Sequence, residues 1–421
     1  MDRNSHPVRG SSALPGAIVL GGNFVGLGVA RSLGRKGVRV WVIDADRQKS
    51  IAQFSRYTEK FIECKGSVPK LLLKIGREHQ LDGWVVFPAS DEYVEMLSFH
   101  YDNLSPIYRL AAPRSEVTQF ALDKRLTYGR AAELGIDAPW TFSGRSVAEA
   151  GAQHPPFPLI LKPALNHHFF PHTNVKALPA DNLSELKQRF SQMAGYIAPE
   201  EILVQERIPG GGENQFSYCA LCHDGRVLGS LVALRRRQFP VEFGNASTFV
   251  QTVDQPVVEA AGRRFLESIH YDGIGEVEFK FDPRDHKFKI LDANLRPWGW
   301  HTLGIAAGID FVWLLFQQKI GVPVAPVAAT RRASWVREIT DLVALLKYPS
   351  TLGEIRKLVS AFFSGKFTLA TFSFTDPRPF FAELYLFAAS GISRQQRARQ
   401  VLQQEPEKRQ GKSASLTTQG D

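Results

Sequence analysis

The chain has 421 residues, of which 44% are hydrophobic and 22% charged, with a formal net charge of +9. That composition is ordinary for a globular protein and leaves room for two or three packed units. No run of eighteen apolar residues occurs, so no membrane-spanning helix is expected. The basic excess is dispersed in short clusters, with no stripe interleaved with aromatics, so nucleic acid is not expected as a partner.

Three cysteines, Cys64, Cys219 and Cys222, are too few for a disulfide framework and fit a reducing, cytoplasmic setting. Cys219 and Cys222 form a CxxC inside "FSYCALC", which reads as a strand. Residues three apart on a strand face opposite sides, so the pair makes a poor metal knuckle. Residues 1–15 are polar and rich in breakers, lack a signal-peptide core and are expected to be disordered, as are residues 403–421.

In chain order, "AIVLG" reads as a buried strand, "GNFVGLGVARSLGRKG" as a turn and helix, and "VRVWVID" as a second strand. This is a βαβ unit. "DGWVVFPASDEYVEML" repeats the theme with Asp91 and Glu92 in its turn, so residues 16–113 form a small doubly wound α/β domain. The glycines at 21, 22, 26 and 28 are not spaced as G-x-G-x-x-G, and NAD is not expected despite Asp44 at the end of the next strand. A helix opens near Ser115 or Thr118 and carries Asp123, Lys124 and Arg125. Strands then dominate as far as "VALRRRQ", with one helix near 181–194. From "VVEAAGRRFLESIHY" to "LLFQQKIG" the pattern gives a helix, a hairpin and another helix.

Residues 331–400 read as amphipathic helices packed on the core. Lys347, Pro349, Glu354, Arg356 and Lys357 interrupt one apolar stretch, and Pro377 and Pro379 open the next. The Phe, Tyr and basic residues there leave a peripheral membrane contact open.

The most informative stretch is "GEVEFKFDPRDHKFKILDANLRPW". Two alternating runs flank turn chemistry at "DPRDH". Glu276, Glu278 and Lys280 share one face of the first strand, and Asp292, Asn294 and Arg296 share one face of the second. A five-residue loop over 283–287 sets Glu278 opposite Asp292 and Glu276 opposite Asn294; a one-residue slip would flip a face. Like charges across a strand pair repel, and a hard divalent cation removes the penalty. Mg²⁺ prefers one or two carboxylates, an amide oxygen and substrate phosphates, which matches Glu278, Asp292 and Asn294. Alternation alone also suits a solvated sheet face; Arg296 beside the acids, placed for a phosphate, favours the metal reading.

Lys162 ends the apolar run "FPLILKP", where a lysine is expensive to bury unless it meets an anion, and Lys124 is a second candidate phosphate contact. "ILVQERIPGGGEN" runs from a buried strand through Gln205, Glu206, Arg207 and Ile208 into a glycine turn ending at Glu213. Such an extended edge suits a nucleotide base, with a carboxylate for a ribose diol; an ordinary turn with charged flanks would look the same. Arg235, Arg236 and Arg237 read either as a solvated turn after a strand or as recognition of an acidic substrate or a γ-phosphate. His167, His168 and His172 lie close in sequence, but loop spacing sets no geometry, and zinc is not expected.

The order Lys124, Lys162, "VQERIPGGGE", "EVEFK", "LDANLRPW" resembles the ATP-grasp superfamily, in particular its carboxylate–amine ligases similar to D-aspartate ligase and the large subunit of carbamoyl-phosphate synthase. The resemblance covers roughly residues 15 to 325. It implies an α/β fold in which a Rossmann-like pre-ATP-grasp domain (16–113) precedes a two-lobed α+β ATP-grasp domain (114–325, with a lid at about 140–207). A helical C-terminal extension (326–402) follows. It further implies that Lys124 and Lys162 hold ATP phosphates and that Gln205, Glu206, Arg207 and Ile208 line adenine with Glu213 on the ribose. By the same resemblance Glu278, Asp292 and Asn294 bind Mg²⁺ or Mn²⁺, and Arg296, catalytic together with Lys162, steadies the transferred phosphoryl group or the acyl phosphate.

Two positions depart from the pattern. The second-strand metal ligand is usually Glu and here is Asp292. The segment after Lys162 is often glycine-rich and here is "ALNHHFFPHTNVK", where Lys176 or His172 is the substitute contact. The implied reaction joins a small-molecule carboxylate to an amine through an acyl phosphate; a related transfer to another acceptor, or a nucleotide-binding assembly protein without turnover, are the rivals. A homodimer is left open.

Overall fold

The computed structural model describes residues 14–173, 175, 177–239, 246–347, 356 and 367–388. Its first unit is a parallel sheet of β1 (Ala17–Leu20), β2 (Val40–Asp44), β3 (Lys60–Glu63), β4 (Val85–Pro88) and β5 (Arg109–Leu110) in the order β3-β2-β1-β4-β5. "AIVL" is apolar throughout because both faces of this central strand are covered. Ala17 and Val19 join one core with α1 (Phe24–Gly34), while Ile18 and Leu20 join another with α2 (Val68–Glu78) and α3 (Asp91–Phe99). Asn23 caps α1 by accepting from the amides of Val25 and Gly26. Gly26 has to be glycine, since a Cβ there would lie 1.9 Å from the Gly21 carbonyl oxygen.

After α4 (Tyr101–Leu104), the single helix expected from Ser115 is two: α5 (Ser115–Leu122) and α6 (Lys124–Glu133). Asp123 breaks the run. It adopts extended dihedrals, caps α6 through the Arg125 amide and bridges to Leu165. The break turns Lys124 into the first residue of α6, facing the cleft.

The small second sheet, β6-β9-β7-β8, is antiparallel and comprises β6 (Thr141–Ser143), β7 (Leu159–Pro163), β8 (Leu178–Ala180) and β9 (Ile202–Glu206). Helices α7 (Val147–Ala152), α8 (Asn166–Thr173) and α9 (Leu183–Ala194) accompany it. The large sheet orders β14-β13-β10-β11-β12-β16-β17, with β15 (Val327–Ala328) pairing β11. Its strands are β10 (Gln215–His223), β11 (Arg226–Phe239), β12 (Ala246–Val253), β13 (Gly273–Asp282), β14 (Lys287–Asn294), β16 (Ser334–Val336) and β17 (Phe367–Leu369). Helices α10 (Pro256–Ser268), α11 (Leu303–Ala307), α12 (Phe311–Lys319) and α13 (Glu338–Lys347) complete it. Cys219 and Cys222 are buried free thiols in cores on opposite sides of β10.

The C-terminal segment corrects the all-helical expectation for 331–400. β16 pairs antiparallel with β12 and carries β17 in parallel, so this segment extends the large sheet. The physical reason is Trp335, 1% exposed, which fills the core at the sheet edge. Helices occur at Glu338–Lys347 and over 378–388; residues 348–355, 357–366 and 389–400 lie outside the described residues, as do the expected disordered ends at 1–13 and 403–421. Asp376 ties the segment to the first unit: Arg31 Nε (2.9 Å) and Ser55 Oγ (2.6 Å) donate to one carboxylate oxygen, and the Arg56 amide (2.9 Å) donates to the other. No described helix is long and apolar enough to cross a membrane.

Candidate active site

The β13–β14 hairpin places Glu276 opposite Asn294 and Glu278 opposite Asp292. The loop is one residue shorter than the expected 283–287, since Asp282 already pairs with Lys287. A bulge between the Glu278 and Phe279 positions, with Leu291 as the extra residue, restores the acidic register. Asn294 Nδ2 donates to Glu276 (3.0 Å) and Glu278 (3.2 Å), and Arg235 approaches Glu278 at 3.3 Å. Glu276 is 3% exposed, and burial, then the charge of Glu278, pushes its carboxyl up to about 8. Its Oε1 has no hydrogen-bond partner.

Two cations from other elements close on this face. Lys124 Nζ lies 2.6 Å from Asp292; burial opposes its charge, but the carboxylate outweighs burial and holds the ammonium above its usual pKa. Lys162, on β7, donates to the Tyr128 hydroxyl at 2.6 Å, and that hydroxyl donates to the Leu291 carbonyl at 2.9 Å. Burial, then the charge of Lys124, pushes Lys162 down to about 7. Among the described residues it makes no ion pair, and a charged ammonium buried there would need an anion beside it.

Arg296 follows β14 and reaches into the first unit, where Nε and Nη2 contact the two Asp91 oxygens at 2.6 and 3.0 Å. Burial disfavours the guanidinium charge, and Asp91 reverses the balance, raising its pKa.

These side chains line a cavity of about 720 Å³ that includes Lys124, Lys162, Arg235, Glu276, Glu278, Asp292, Asn294 and Arg296. A second cavity, about 800 Å³, is lined by Glu206, Arg207, Ile208, Glu213 and Lys280. Ile160, Gln205, Gln215 and Leu291 line both, making one cleft between the two sheets.

No family model matches the chain. It is similar to D-aspartate ligase of Enterococcus faecium (strain Aus0004), with 23% identity over 300 residues, 66% of this chain and 70% of that protein. Its structure is similar to a biotin carboxylase–β,γ-ATP complex from Campylobacter jejuni (TM-score 0.61, 14% identity, 76% of this chain and 74% of that one). It is also similar to L-amino acid ligase from Bacillus licheniformis (TM-score 0.58, 15% identity, 77% and 80%).

The fold is that of the ATP-grasp superfamily. Lys124, Lys162, Glu278, Asp292, Asn294 and Arg296, expected to meet metal and phosphate, all line one cavity of the cleft. Glu278, Asp292 and Asn294 supply two carboxylates and an amide, a donor set suited to a hard divalent cation that takes further oxygens from phosphates. No three His, Cys, Asp or Glu side chains cluster as a metal site among the described residues. His168 pairs with Glu201 at 2.7 Å, His172 is exposed on α8, and the His167 side chain and Lys176 lie outside the described residues.

The edge expected to hold a nucleotide base differs in detail. Glu206 turns its carboxylate away from a ligand role: it accepts from Lys289 (2.9 Å), Arg284 (2.6 Å) and the Trp140 amide (2.9 Å). Burial opposes its ionisation, and these donors more than offset that, leaving its pKa below the usual value. Arg207 reaches Asp181 at 3.2 Å, Gln205 donates to Thr141 at 2.7 Å, and Glu213 accepts from the Gly211 amide at 2.8 Å. Lys280 staples the glycine turn by donating to the carbonyls of Ile208 (2.8 Å) and Gly210 (2.7 Å).

The arginine trio lies inside β11, not in a turn after a strand. Only Arg235 lines the cleft; Arg236 contacts Gln251, and Arg237 is buried against Asp341 at 2.7 Å. In the first unit, Asp44 accepts from the Gly22 amide at 2.6 Å, so the carboxylate that would meet a dinucleotide ribose braces the glycine turn. Tyr128, Lys280, Glu276 and Asp91 were not singled out as site residues from sequence; only the "SDE" turn and the alternation of β13 pointed to the last three.

Proposed function

We propose that this chain is an ATP-dependent ligase that activates a small-molecule carboxylate as an acyl phosphate and passes it to an amine. The observation that carries the reading is Glu278 facing Asp292 across a bulged hairpin, with Lys124, Lys162, Arg235 and Arg296 converging on the same cavity. Mg²⁺ held by Glu278, Asp292 and Asn294 would neutralise phosphate charge there. The backbone of Gln205 to Ile208 takes adenine, and Glu213 takes the ribose. Lys162 and Lys124 hold phosphates, with Lys162 gaining the counter-charge it lacks among the described residues.

The substrate carboxylate attacks the γ-phosphorus and ADP leaves. Arg296 stabilises the charge on the transferred group, and the amine then displaces phosphate. The protein acts by placing the reactants and matching their charge, with no nucleophilic side chain needed. The likeness to D-aspartate ligase and L-amino acid ligase supports an amino acid among the substrates. The C-terminal strands complete the large sheet as part of the same ligase body.

The route is tested with an acid carrying ¹⁸O in its carboxyl group. One label appears in the released phosphate if an acyl phosphate forms; phosphate free of label overturns it.

A further inference from the structure

We propose that Asp91 is the positioning residue for Arg296, so that the first unit takes part in the phosphoryl-transfer step of the cleft it adjoins. The inference rests on the ligase reading only for the identity of the transferred group.

The two residues are 205 positions apart, Asp91 opening α3 of the first unit and Arg296 following β14 of the large sheet. Ser90 caps α3 by accepting from the Tyr93 amide, which fixes Asp91 as the first residue of that helix at the cavity wall. The two-point contact of Nε and Nη2 with Asp91 fixes the plane of the guanidinium as well as its place. Nη1 donates to the Pro297 carbonyl at 3.1 Å, and Nη2 has a long contact to Asn294 Oδ1 at 3.4 Å. Of five guanidinium N–H groups, these contacts commit four. Among the described residues the remaining one has no partner and is open to an incoming oxygen, from a guanidinium held at both ends of its fork. A lysine ammonium at 296 would be attracted to Asp91 without having its direction fixed.

A simple staple between two units would be expected deep in their interface. Here the Asp91 side chain is 47% exposed and the Arg296 side chain 15% exposed, at the wall of a cavity that also holds the metal face. The contact therefore opens onto the cavity on its Asp91 side while the guanidinium is part-buried, which places it where a ligand in the cavity meets Arg296.

The test is the affinity of the whole protein for Mg·ADP with and without aluminium fluoride, which mimics a phosphoryl group in transfer. The parent is expected to bind the fluoride complex about 100-fold more tightly than Mg·ADP. Asp91→Asn is expected to lose about 10- to 100-fold of that gain, while its Mg·ADP affinity stays at the parent's value. In an Arg296→Lys background, Asp91→Asn is expected to cause no further loss. Full gain in Asp91→Asn, an equal loss of Mg·ADP affinity, or a further loss in the Arg296→Lys background each overturns the proposal. A parent without any gain from fluoride overturns it too, since Arg296 would then read no phosphoryl group. A parent that shows the gain but turns over no acid and amine defeats the ligase reading and leaves Asp91 standing.

Discussion

The ammonium of Lys124 sits astride both carboxylate oxygens of Asp292, at 2.7 and 2.6 Å, across 168 residues of chain. The pair links the first residue of α6 to the acidic face of β14, and Asp292 is thus both a candidate metal ligand and the counter-charge of a buried lysine. Glu278→Gln removes only the first kind of role, because Arg235 near it is partly solvated and has Gln238 as a second contact. We expect Glu278→Gln with Asp292→Asn to lower Mg·ATP turnover by about 10³-fold or more, with the far-ultraviolet dichroism of the parent. Turnover at the parent's rate would show that the metal assignment is wrong.

Nucleotide binding is expected to take up protons. Lys162 has its pKa pushed down to about 7 from 10.5, so in the unliganded fold it is mostly neutral at pH 8. Phosphates beside it restore the charge, and about one proton enters per nucleotide bound at that pH. Between pH 7 and about 10.5 the unfolded chain binds this proton and the folded chain does not, so this group makes stability rise with pH across that window. Calorimetry in two buffers of different ionisation enthalpy reads the uptake, and Lys162→Met removes it. A binding enthalpy independent of buffer contradicts the assignment.

The C-terminal segment is expected to be part of the folding unit. Asp376 is 1% exposed and accepts from Arg31, Ser55 and the Arg56 amide. Asp376→Ala leaves Arg31 buried and unpaired, for an expected loss of about 3–5 kcal/mol in chemical denaturation. A change below about 0.5 kcal/mol would mark the contact as peripheral.

Much of the site could be read from sequence because it rests on period-two alternation. Asp292 and Asn294 share a face of their strand by alternation alone, whereas Glu278 joins them only through the register of the hairpin. The bulge at Leu291 could not be read, since only the ladder on both sides of it reveals that the loop is one residue shorter. Asp123 carried cap chemistry in plain view, yet a continuous helical reading absorbed it; its extended dihedrals break the helix. The fate of Glu206 was hidden for another reason. Its partners Arg284 and Lys289 lie across the hairpin, where only the tertiary fold shows that its carboxylate is taken. β16 and β17 have three residues each, too short for any period to register, and their strand form comes from the sheet edge they join.

The first unit is expected to leave NADH unbound. Its Gly22 amide is committed to Asp44, and a Cβ at Gly22 would lie 1.7 Å from Ser50 Oγ, so the turn is filled by the chain itself. A fluorescence titration showing micromolar NADH affinity would overturn this.

The central claim meets its most direct test in ADP release from Mg·ATP, with amino acids and small acids offered alone and then together with amines. The account predicts ADP release only with a matching acid and amine together, and its loss in Lys162→Met. ADP release that needs no amine, or none with any pair while Mg·ATP binds tightly, would contradict it.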